Sequence, residues 1–447
     1  MTERADVLVV GGRCAGAPLA TWLARAGVRV VLADRASFPS DTLSTHVFQG
    51  GAIASLRRLG ALERVLATGA PPVTRGRVRF ATAGDVLEAE VPMPVPAPGL
   101  PAMLCVRRVA LDAILHDAAA QAEVTMLDGF AVRELVREGD RVAGARLRSR
   151  DGTERTVHAR VVVGADGRNS TVARAAGARA YAVLPTERFG YFAYYADVAV
   201  DDPPLVEIVR DERLYGFGIP ADDGLYLACV MPPAAEYQRF MDAMEANWER
   251  EVAGLHWVGE RVAEGRRVGR PRGLRSVDTF LRDATGPGWV LLGDAGHFKD
   301  PAPGQGIADA LRQAERLSEA IVAGLGAGDL DARLYHWWAQ RDDDALERHT
   351  WAHGFGAAGP PPHILLEAQR QTLARRDAAE RFWGPSLQRL RPGRALGRNA
   401  VLRATAGAVA RRRVAPTRAL AELRDAGRRD AAYRRARRTA RGRRPRR

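Results

Sequence analysis

The chain has 447 residues and a formal net charge of +14, a length typical of two or three domains with a sizeable core. Residues 411–447 carry 16 arginines and three acidic residues, a net charge of +13, so residues 1–410 are almost neutral, and this distribution argues against a nucleic-acid-binding body. The three cysteines, Cys14, Cys105 and Cys229, form no close pair in the sequence, which argues against a disulfide framework, a zinc site or a redox dithiol.

The first predicted element is a βαβ unit near the N-terminus. An apolar strand, residues 7–10, turns on glycine into an alanine-rich helix, and a second apolar strand leads into Asp34. In such a unit the glycines allow a pyrophosphate to approach the helix N-terminus, and the acidic residue accepts the ribose hydroxyls. The motif is imperfect, because Arg13 occupies the position of its middle glycine. We expect the Arg13 guanidinium to pair with the pyrophosphate, and the alternative is a displaced loop with a different mode of cofactor binding.

Two later strands end in similar glycine and aspartate pairs. Residues 161–164 precede Asp166 and Gly167, and residues 289–292 precede Gly293 and Asp294. Residues 300–306, rich in proline and glycine, then open a further helix, whose unpaired N–H groups form a positive end suited to a negatively charged group. Each of the three stretches is typical of one contact with the same dinucleotide, which indicates a flavin.

The rest of the chain predicts a second sheet and a helical C-terminal region. Residues 75–93 have strand-like alternation, and from residue 181 to about 279 the period shifts toward two, with recurrent aromatic residues. An aromatic sheet face suits an apolar or aromatic ligand, although such rings are individually more typical of core packing. After Leu330 the pattern is helical, and the Arg-rich tail reads as a helix that fades into disorder.

The order of the three motifs resembles the p-hydroxybenzoate hydroxylase-like family of FAD-dependent oxidoreductases, whose relatives include geranylgeranyl reductases and flavin-dependent halogenases. The resemblance implies an α/β fold: a Rossmann-like FAD-binding domain of the glutathione reductase type, an inserted mixed β-sheet substrate domain and a C-terminal helical region. We expect the FAD-binding domain in residues 1–74, 97–180 and 280–328, the substrate-binding sheet in 75–96 and 181–279, a helical cap in 329–410 and a partly disordered Arg-rich tail in 411–447.

The resemblance also implies which residues contact FAD. The expected cofactor-binding residues are Gly11, Gly12, Arg13, Gly16, Asp34, Arg35, Thr45, Arg107, Asp166, Gly167, Gly293, Asp294, Pro301, Gly304, Gln305 and Gly306. The family places an arginine at a helix start against the cofactor, and here Arg107 is preferred with Arg108 as the alternative.

Two residues are candidates for catalytic roles, although the flavin itself carries the chemistry. His46 lies in the loop that crosses the flavin in the family, and the alternative is a polar loop residue without a role. The Lys299 ammonium would favour a reduced flavin or a developing anion, and the alternative is a solvated lysine paired with Asp300. No metal site is predicted.

For the activity, the resemblance implies an FAD-dependent monooxygenase. NAD(P)H would bind transiently and reduce FAD, and O2 would form a flavin C4a-hydroperoxide that hydroxylates or epoxidises an apolar or aromatic small molecule in secondary metabolism. A reductase of isoprenoid C=C bonds, similar to geranylgeranyl reductases, and a non-catalytic flavin-binding module remain alternatives. A halogenase is a less favoured alternative, because the sequence has no W-x-W-x-I-P motif and Lys299 is its single lysine.

Location and partners follow from the two ends of the chain. The chain enters its first strand almost at once and has no apolar run near 18 residues, so we expect a cytoplasmic protein without a transmembrane segment. The basic tail suits an anionic surface or an acidic carrier protein.

Overall fold

The structure is a computed structural model and describes residues 2–44 and 46–443. Its strands are β1 (Thr2–Val10), β2 (Val30–Asp34), β3 (Val47–Gln49), β4 (Arg75–Thr82), β5 (Asp85–Pro92), β6 (Met103–Cys105), β7 (Thr125–Asp128), β8 (Ala131–Glu138), β9 (Arg141–Arg148), β10 (Glu154–Gly164), β11 (Ala180–Pro185), β12 (Gly190–Ala196), β13 (Leu205–Arg210), β14 (Tyr215–Pro220), β15 (Tyr226–Met231), β16 (Arg266–Leu274), β17 (Asp278–Arg282), β18 (Thr285–Gly286), β19 (Trp289–Leu291) and β20 (His297–Phe298).

The helices concentrate in the C-terminal third of the chain. They are α1 (Gly16–Arg25), α2 (Gly50–Leu59), α3 (Leu62–Leu66), α4 (Arg108–Gln121), α5 (Thr171–Ala176), α6 (Tyr237–Asp242), α7 (Met244–Ala253), α8 (His256–Ala263), α9 (Gly306–Ala327), α10 (Leu330–Phe355), α11 (His363–Leu373), α12 (Ala378–Trp383), α13 (Pro392–Ala395), α14 (Arg398–Ala410) and α15 (Pro416–Arg443). None of the helices in the described ranges is long and apolar enough to cross a bilayer.

The first sheet has the order β18-β19-β10-β1-β2-β7, with β8 and β9 attached to β10. Strands β19, β10, β1, β2 and β7 run parallel. Val7 and Val9 pack into one core with α1, α4 and α9, and Leu8 and Val10 pack into a second core on the opposite face. A strand buried on both faces needs a continuous apolar run, which residues 7–10 supply.

The second sheet has the order β16-β12-β15-β14-β13-β4-β5. Its aromatic residues divide between the two faces, because side chains alternate along a strand. Phe192 and Phe217 face the first domain and the C-terminal helices, whereas Tyr191 and Tyr195 lie in a separate core with Trp248 beneath α6–α8. The α/β fold class, with a mixed second sheet and a C-terminal helical region, is therefore confirmed.

The described part of the tail is helical, because α15 continues to Arg443, and partial disorder of the tail stays a prediction. Alanine and arginine both favour a helix, and this helix packs on the body: Ala419 and Ala440 are buried. The Arg443 guanidinium forms an ion pair with Asp283 at 3.1 Å and lies 5.2 Å from the centre of the Tyr181 ring. Residues 444–447 lie outside the described residues.

Candidate active site

The three motifs meet at the C-terminal edge of adjacent parallel strands. The Ala165 N–H donates to Val10 O at 2.7 Å, which joins the second motif to the first. The Leu292 N–H donates to Gly164 O at 2.9 Å, which joins the third motif to the second. In open α/β sheets, ligands bind at this edge of the strands.

Glycine is required where these loops touch. Gly11 has a φ of +106°, and a Cβ there would lie 2.4 Å from Ala165 O. A Cβ on Gly16 would lie 1.8 Å from Gly11 O. Gly293, with a φ of +60°, approaches so closely that its Cβ would lie 3.1 Å from the Cβ of Ala15. Bare backbone therefore surrounds the N-terminus of α1, as a pyrophosphate site requires.

Asp34 lies beside this cradle at the end of β2. Its Oδ2 accepts from the Gly12 N–H at 2.7 Å, and its Oδ1 accepts from the Ala36 N–H at 2.8 Å. A carboxylate has about four lone-pair positions, so both oxygens retain capacity for ribose hydroxyls. The neighbouring Arg35 is exposed.

Arg13 has protein partners in the structure. Its Nη1 donates to Asp112 Oδ2 at 2.7 Å and its Nη2 donates to Ser40 Oγ at 2.8 Å. Arg13 thus ties the glycine loop to α4 and to the loop after β2. Its pairing with a pyrophosphate stays a prediction.

The two adjacent arginines at the start of α4 point in different directions. Arg107 donates from Nε to Asp222 Oδ2 at 2.9 Å, on the turn between β14 and β15. Arg108 is buried, and its Nε donates to Asp112 Oδ1 at 2.9 Å. Burial acts to lower the pKa of Arg108, but nearby Cys14 and acidic groups that include Asp294 raise it overall. Arg107 thus pairs with the second sheet while Arg108 pairs within α4, and the choice of the arginine that faces the cofactor stays a prediction.

The two motif aspartates have different surroundings. Asp166 Oδ2 accepts from the Thr171 N–H at 2.7 Å and so caps α5, while its Oδ1 has no hydrogen-bond partner within residues 2–44 and 46–443. The adjacent Gly167 has a φ of +78°. The surface of Asp294 is accessible to solvent, but protein atoms lie on most sides of its carboxylate. These surroundings raise the pKa of Asp294 to about 6, and Arg108 opposes the increase.

The loop before α9 is built around Gly304, which has a φ of +63°. The side-chain amide of Gln49 holds this loop, because its Nε2 donates to Gly304 O at 2.8 Å and to Pro303 O at 3.1 Å. Pro301 and Gly306 are exposed, and Gly306 begins the helix. The loop therefore presents backbone at the positive end of α9.

The Gln305 side chain turns into the protein, and a contact of this residue with the cofactor stays a prediction. Its Nε2 donates to Pro385 O at 2.9 Å and its Oε1 accepts from Lys299 Nζ at 2.6 Å. Any contact of Gln305 with a cofactor must therefore use its backbone.

Lys299 is buried and is neither solvated nor paired with Asp300. Its Nζ lies 2.5 Å from Asp309 Oδ2 on α9. Burial lowers the pKa of Lys299 to about 8, with Asp309 opposing. Asp300 instead accepts from the Ala302 N–H at 3.0 Å, and burial raises its pKa to about 7. Lys299 thus anchors the loop to α9.

His46 lies between the first domain and the inner face of the second sheet. It is buried and has a φ of +59°. The Arg108 N–H donates to its Nδ1 at 3.2 Å, and its ring centre lies 5.3 Å from that of Phe192 and 5.7 Å from that of Tyr194. Burial, and then the charge of Arg108, lower the pKa of His46 to about 3. Thr45, an expected cofactor contact, lies outside the described residues.

The family model described as an FAD binding domain matches residues 4–341. The chain belongs to this FAD-binding family. FAD is therefore its cofactor, and the protein is an FAD-dependent oxidoreductase, which sets aside the non-catalytic alternative. The site fits FAD: the glycine cradle leaves room for a pyrophosphate, Asp34 suits a ribose, and the buried Arg108 supplies positive charge.

Relatives of this FAD-binding protein perform different reactions. It is 29% identical over 342 residues to a menaquinone reductase of Mycolicibacterium smegmatis. The aligned residues cover 72% of this chain and 78% of the relative. It is 28% identical over 366 residues to a 6-methylpretetramide 4-monooxygenase of Streptomyces rimosus. The aligned residues cover 77% of this chain and 82% of that relative. It is 25% identical over 361 residues to a 1H-pyrrole-2-carbonyl-[peptidyl-carrier protein] brominase of Pseudoalteromonas luteoviolacea. The aligned residues cover 78% of this chain and 86% of that relative.

Solved structures share the fold. The flavin-dependent brominase Bmp2 matches with a TM-score of 0.71 at 20% identity, over 92% of this chain and 99% of that one. A geranylgeranyl bacteriochlorophyll reductase-like protein of Thermoplasma acidophilum matches with a TM-score of 0.66 at 17% identity, over 91% of this chain and 96% of that one.

Three residues that shape the site were missed by the sequence reasoning. Asp112 binds both Arg13 and Arg108, and its i,i+4 spacing from Arg108 on a predicted helix was an available signal. Gln49 and Tyr194 gave no comparable signal, because each is one polar group in an apolar or aromatic strand.

Proposed function

We propose that this oxidoreductase is a monooxygenase that uses O2 and NAD(P)H to hydroxylate or epoxidise an apolar or aromatic small molecule. The observation that carries the proposal is the position of the apolar inner sheet face, with Phe192 and Tyr194, against His46, whose neighbour Val47 lies beside the loop of residues 300–306. Relatives that are monooxygenases of 6-methylpretetramide and rifampicin support this reaction class. A role in secondary metabolism and a cytoplasmic location remain predictions.

The glycine cradle and the acidic residue at the end of β2 have the first proposed binding roles. Gly11, Gly12 and Gly16 would let the FAD pyrophosphate reach the N-terminus of α1, which has no acidic residue in its first turn. Asp34 would accept the ribose hydroxyls. Bound FAD would supply the electron transfer and the oxygen chemistry.

Positive groups near Asp294 and the start of α9 have the second set of proposed binding roles. Arg108 would place positive charge near Asp294 and the dinucleotide. The backbone of residues 304–306 would face negative charge on the flavin at the start of α9. Lys299, held by Asp309, would act on this loop by positioning it, since its ammonium is enclosed by protein.

The reductase alternative remains a second candidate because of one specific observation. The menaquinone reductase relative covers 72% of this chain at 29% identity, comparable with the monooxygenase relative. On this alternative, the apolar sheet face would bind the ring or chain of an isoprenoid, and a C=C bond of that compound would be reduced.

The basic helix α15 gives the proposed partner. The brominase relative acts on a substrate carried by a peptidyl-carrier protein. By analogy, the exposed arginines of α15 would attract an acidic carrier or another anionic surface.

Rapid-mixing kinetics would separate the two reactions. The FAD-loaded protein is reduced without oxygen and then mixed with O2 while the flavin spectrum is followed. We expect reoxidation in at least two phases and, with a suitable aromatic compound, an oxygenated product detected by mass spectrometry. Slow, single-phase reoxidation without product would contradict monooxygenation and favour the reductase.

A further inference from the structure

We infer that Arg188 and Arg210 form a buried binding site for one small monovalent anion, such as chloride, at the C-terminal end of α10. The anion accepts from N–H groups of both guanidinium groups and lies near the Asp300 carboxyl group. It joins three parts of the fold: the second sheet, the end of α10 and the loop of residues 300–306. The site does not depend on the reaction that the protein catalyses.

Both arginines are buried cations that lack an acidic partner. Arg188 is 3% exposed and Arg210 is 5% exposed. Burial lowers the pKa of both groups, but a guanidinium stays charged at neutral pH. None of the ion pairs formed by residues 2–44 and 46–443 includes either arginine. A buried charge without a counter-ion is energetically unfavourable, and buried charges in proteins are normally paired.

The hydrogen bonds that the two guanidinium groups make end on backbone carbonyls. Arg210 Nη1 donates to Phe355 O at 2.7 Å, and Arg210 Nη2 donates to Ala357 O at 3.2 Å. Arg188 Nε donates to the same Ala357 O at 3.2 Å, and its Nη1 donates to two further carbonyls. The carbonyl end of a helix carries only about half a negative charge. It therefore leaves most of the two positive charges uncompensated.

Each arginine also has one buried N–H nitrogen that donates to no atom in the described part of the chain. These nitrogens are Arg188 Nη2 and Arg210 Nε. The two side chains lie close together, because both donate to the Ala357 carbonyl oxygen. A buried donor without a partner is unfavourable. An anion that accepts from both nitrogens satisfies these donors and compensates the charge at the same time.

Asp300 brings the loop before α9 to the same place. The residue is 2% exposed, and both of its carboxyl oxygens lie 2.5 Å from the position that a Cβ on Gly356 would occupy. Glycine at the end of α10 therefore allows the carboxyl group to approach. Asp300 Oδ1 accepts from the Ala302 N–H at 3.0 Å, whereas Oδ2 has no hydrogen-bond partner within residues 2–44 and 46–443.

The Asp300 carboxyl group titrates near neutral pH. Burial raises the pKa of Asp300 to about 7, with Arg188 and Arg210 opposing and Glu187 acting with burial. Protonation removes one negative charge from the site and provides a hydroxyl donor for the anion. Anion binding and protonation of Asp300 therefore favour each other, and the affinity for the anion should increase as the pH falls through 7.

The other charged and polar groups nearby do not replace the anion. Glu187 is exposed, and its Oε2 accepts from a backbone N–H just after α10 at 2.9 Å. Asp211 Oδ1 accepts from two backbone N–H groups of its own turn. The Tyr215 hydroxyl donates to a carbonyl of the loop before α9, and Arg429 on α15 adds positive charge.

Thermal unfolding of the FAD-loaded full chain tests the site with chloride as the probe. Chloride replaces gluconate at constant ionic strength, because gluconate is too large for an enclosed site. We expect the melting temperature to rise along a saturable curve, by about 2–3 °C when chloride reaches about 100 times its dissociation constant. As a matched control, Arg275→Met changes an exposed arginine and should keep this shift.

Three variants test the assigned groups. Arg188→Met and Arg210→Met each remove a donor and a charge, and each should weaken chloride binding at least about tenfold. Asp300→Asn keeps a donor at the position of Oδ2 and removes the negative charge. The wild type should bind chloride about tenfold more tightly at pH 6 than at pH 8, whereas Asp300→Asn should bind it equally at both.

Bromide-soaked crystals of the wild type make the test independent of how well the variants fold. An anomalous peak within about 3.5 Å of both Arg188 Nη2 and Arg210 Nε would support the site. Water alone beside the two arginines, with the same melting temperature in chloride and gluconate, would overturn the inference. An unchanged chloride shift in both arginine variants would overturn it as well.

Discussion

At the scale of the residue, Gly11 connects the first motif to the second through bare backbone. Its φ of +106° is unfavourable for any residue with a Cβ, and the added carbon would lie 2.4 Å from Ala165 O. The same glycine thus serves both the turn after β1 and the contact between two motifs about 150 residues apart. Because of these two constraints, replacing Gly11 should lower the stability of the fold.

We expect Gly11→Ala to lower the free energy of unfolding by about 2–4 kcal/mol, from backbone strain and overpacking together. FAD retention after desalting should also fall. Gly51→Ala is the matched control, because a Cβ there meets no atom within 4 Å. Denaturation curves and flavin absorbance would measure both effects, and equal behaviour of the two variants would contradict the role assigned to Gly11.

The buried imidazole of His46 predicts a specific dependence of stability on pH. Its pKa falls from an ordinary 6.5 to about 3 in the folded protein. The unfolded chain therefore binds more protons between these values, and the contribution of His46 to stability is complete above about pH 6.5 and is lost as the pH falls toward 3. Between pH 7.5 and 4.5, the wild type should lose about 2–3 kcal/mol more stability than His46→Asn. Urea denaturation at the two pH values would measure this difference, and parallel losses would exclude it.

Side-chain directions account for most of what sequence could not predict in the site. The motif glycines and Asp34 could be placed from sequence because backbone conformation and strand ends determine their positions. Arg107 and Arg108 are adjacent, and only the contacts of α4 with the second sheet determine which one faces Asp294. The sequence suggests that the Lys299 ammonium favours a reduced flavin or a developing anion, with a solvated pair with Asp300 as the alternative. Its ion-pair partner is the Asp309 carboxylate on α9, ten residues later.

At the scale of the element, two buried arginines, Arg210 on β13 and Arg188 just before β12, hold the end of α10. Arg210 Nη1 donates to Phe355 O at 2.7 Å, and Arg188 Nε donates to Ala357 O at 3.2 Å. Carbonyls at a helix C-terminus lack partners within the helix and attract cations. Burial lowers the pKa of Arg210 to about 10, and the residue remains charged at neutral pH.

Arg210→Met should lower the free energy of unfolding by about 1–2 kcal/mol, because it removes the hydrogen bond to the half-buried Phe355 carbonyl. Limited proteolysis should then cut more rapidly near residues 356–362, since the end of α10 is released. The exposed Arg275→Met is the control and should behave like the wild type. If the two variants are cleaved at the same rate, Arg210 does not dock this helix.

The strands of the second sheet show the limit of pattern reading for elements. Alternation predicted strands at residues 75–93 and 181–279, and the sheet takes β4, β5 and β12–β16 from those ranges. The parallel pairing of β13 with β4 joins residues about 130 apart and has no local signal. Nor does alternation alone show that the face of Tyr191 and Tyr195 is covered by α6–α8.

At the scale of the whole molecule, residues 411–447 carry almost all of the net positive charge, and α15, which lies within this segment, is docked on the body. The arginines of α15 are mostly exposed, but the helix is attached along its length. Glu422 near its start lies 3.0 Å from His363 Nδ1, and Arg443 at its end pairs with Asp283. The composition predicted a helix that fades into disorder and gave no sign of its contacts with the body, which two buried alanines and these ion pairs provide.

Removal of residues 416–447 tests whether α15 is a structural element. The truncated chain loses 13 arginines and three acidic residues, exposes Tyr181 and leaves Asp283 without its Arg443 partner. We expect the melting temperature to fall by about 4 °C or more, which corresponds to about 4 kcal/mol for a protein of this size. The double variant Arg435→Gln/Arg438→Gln is the control, because both side chains are exposed. It should melt like the full chain but elute from a cation exchanger at lower salt. A truncated protein that melts with the full chain would show that α15 adds charge without stabilising the fold.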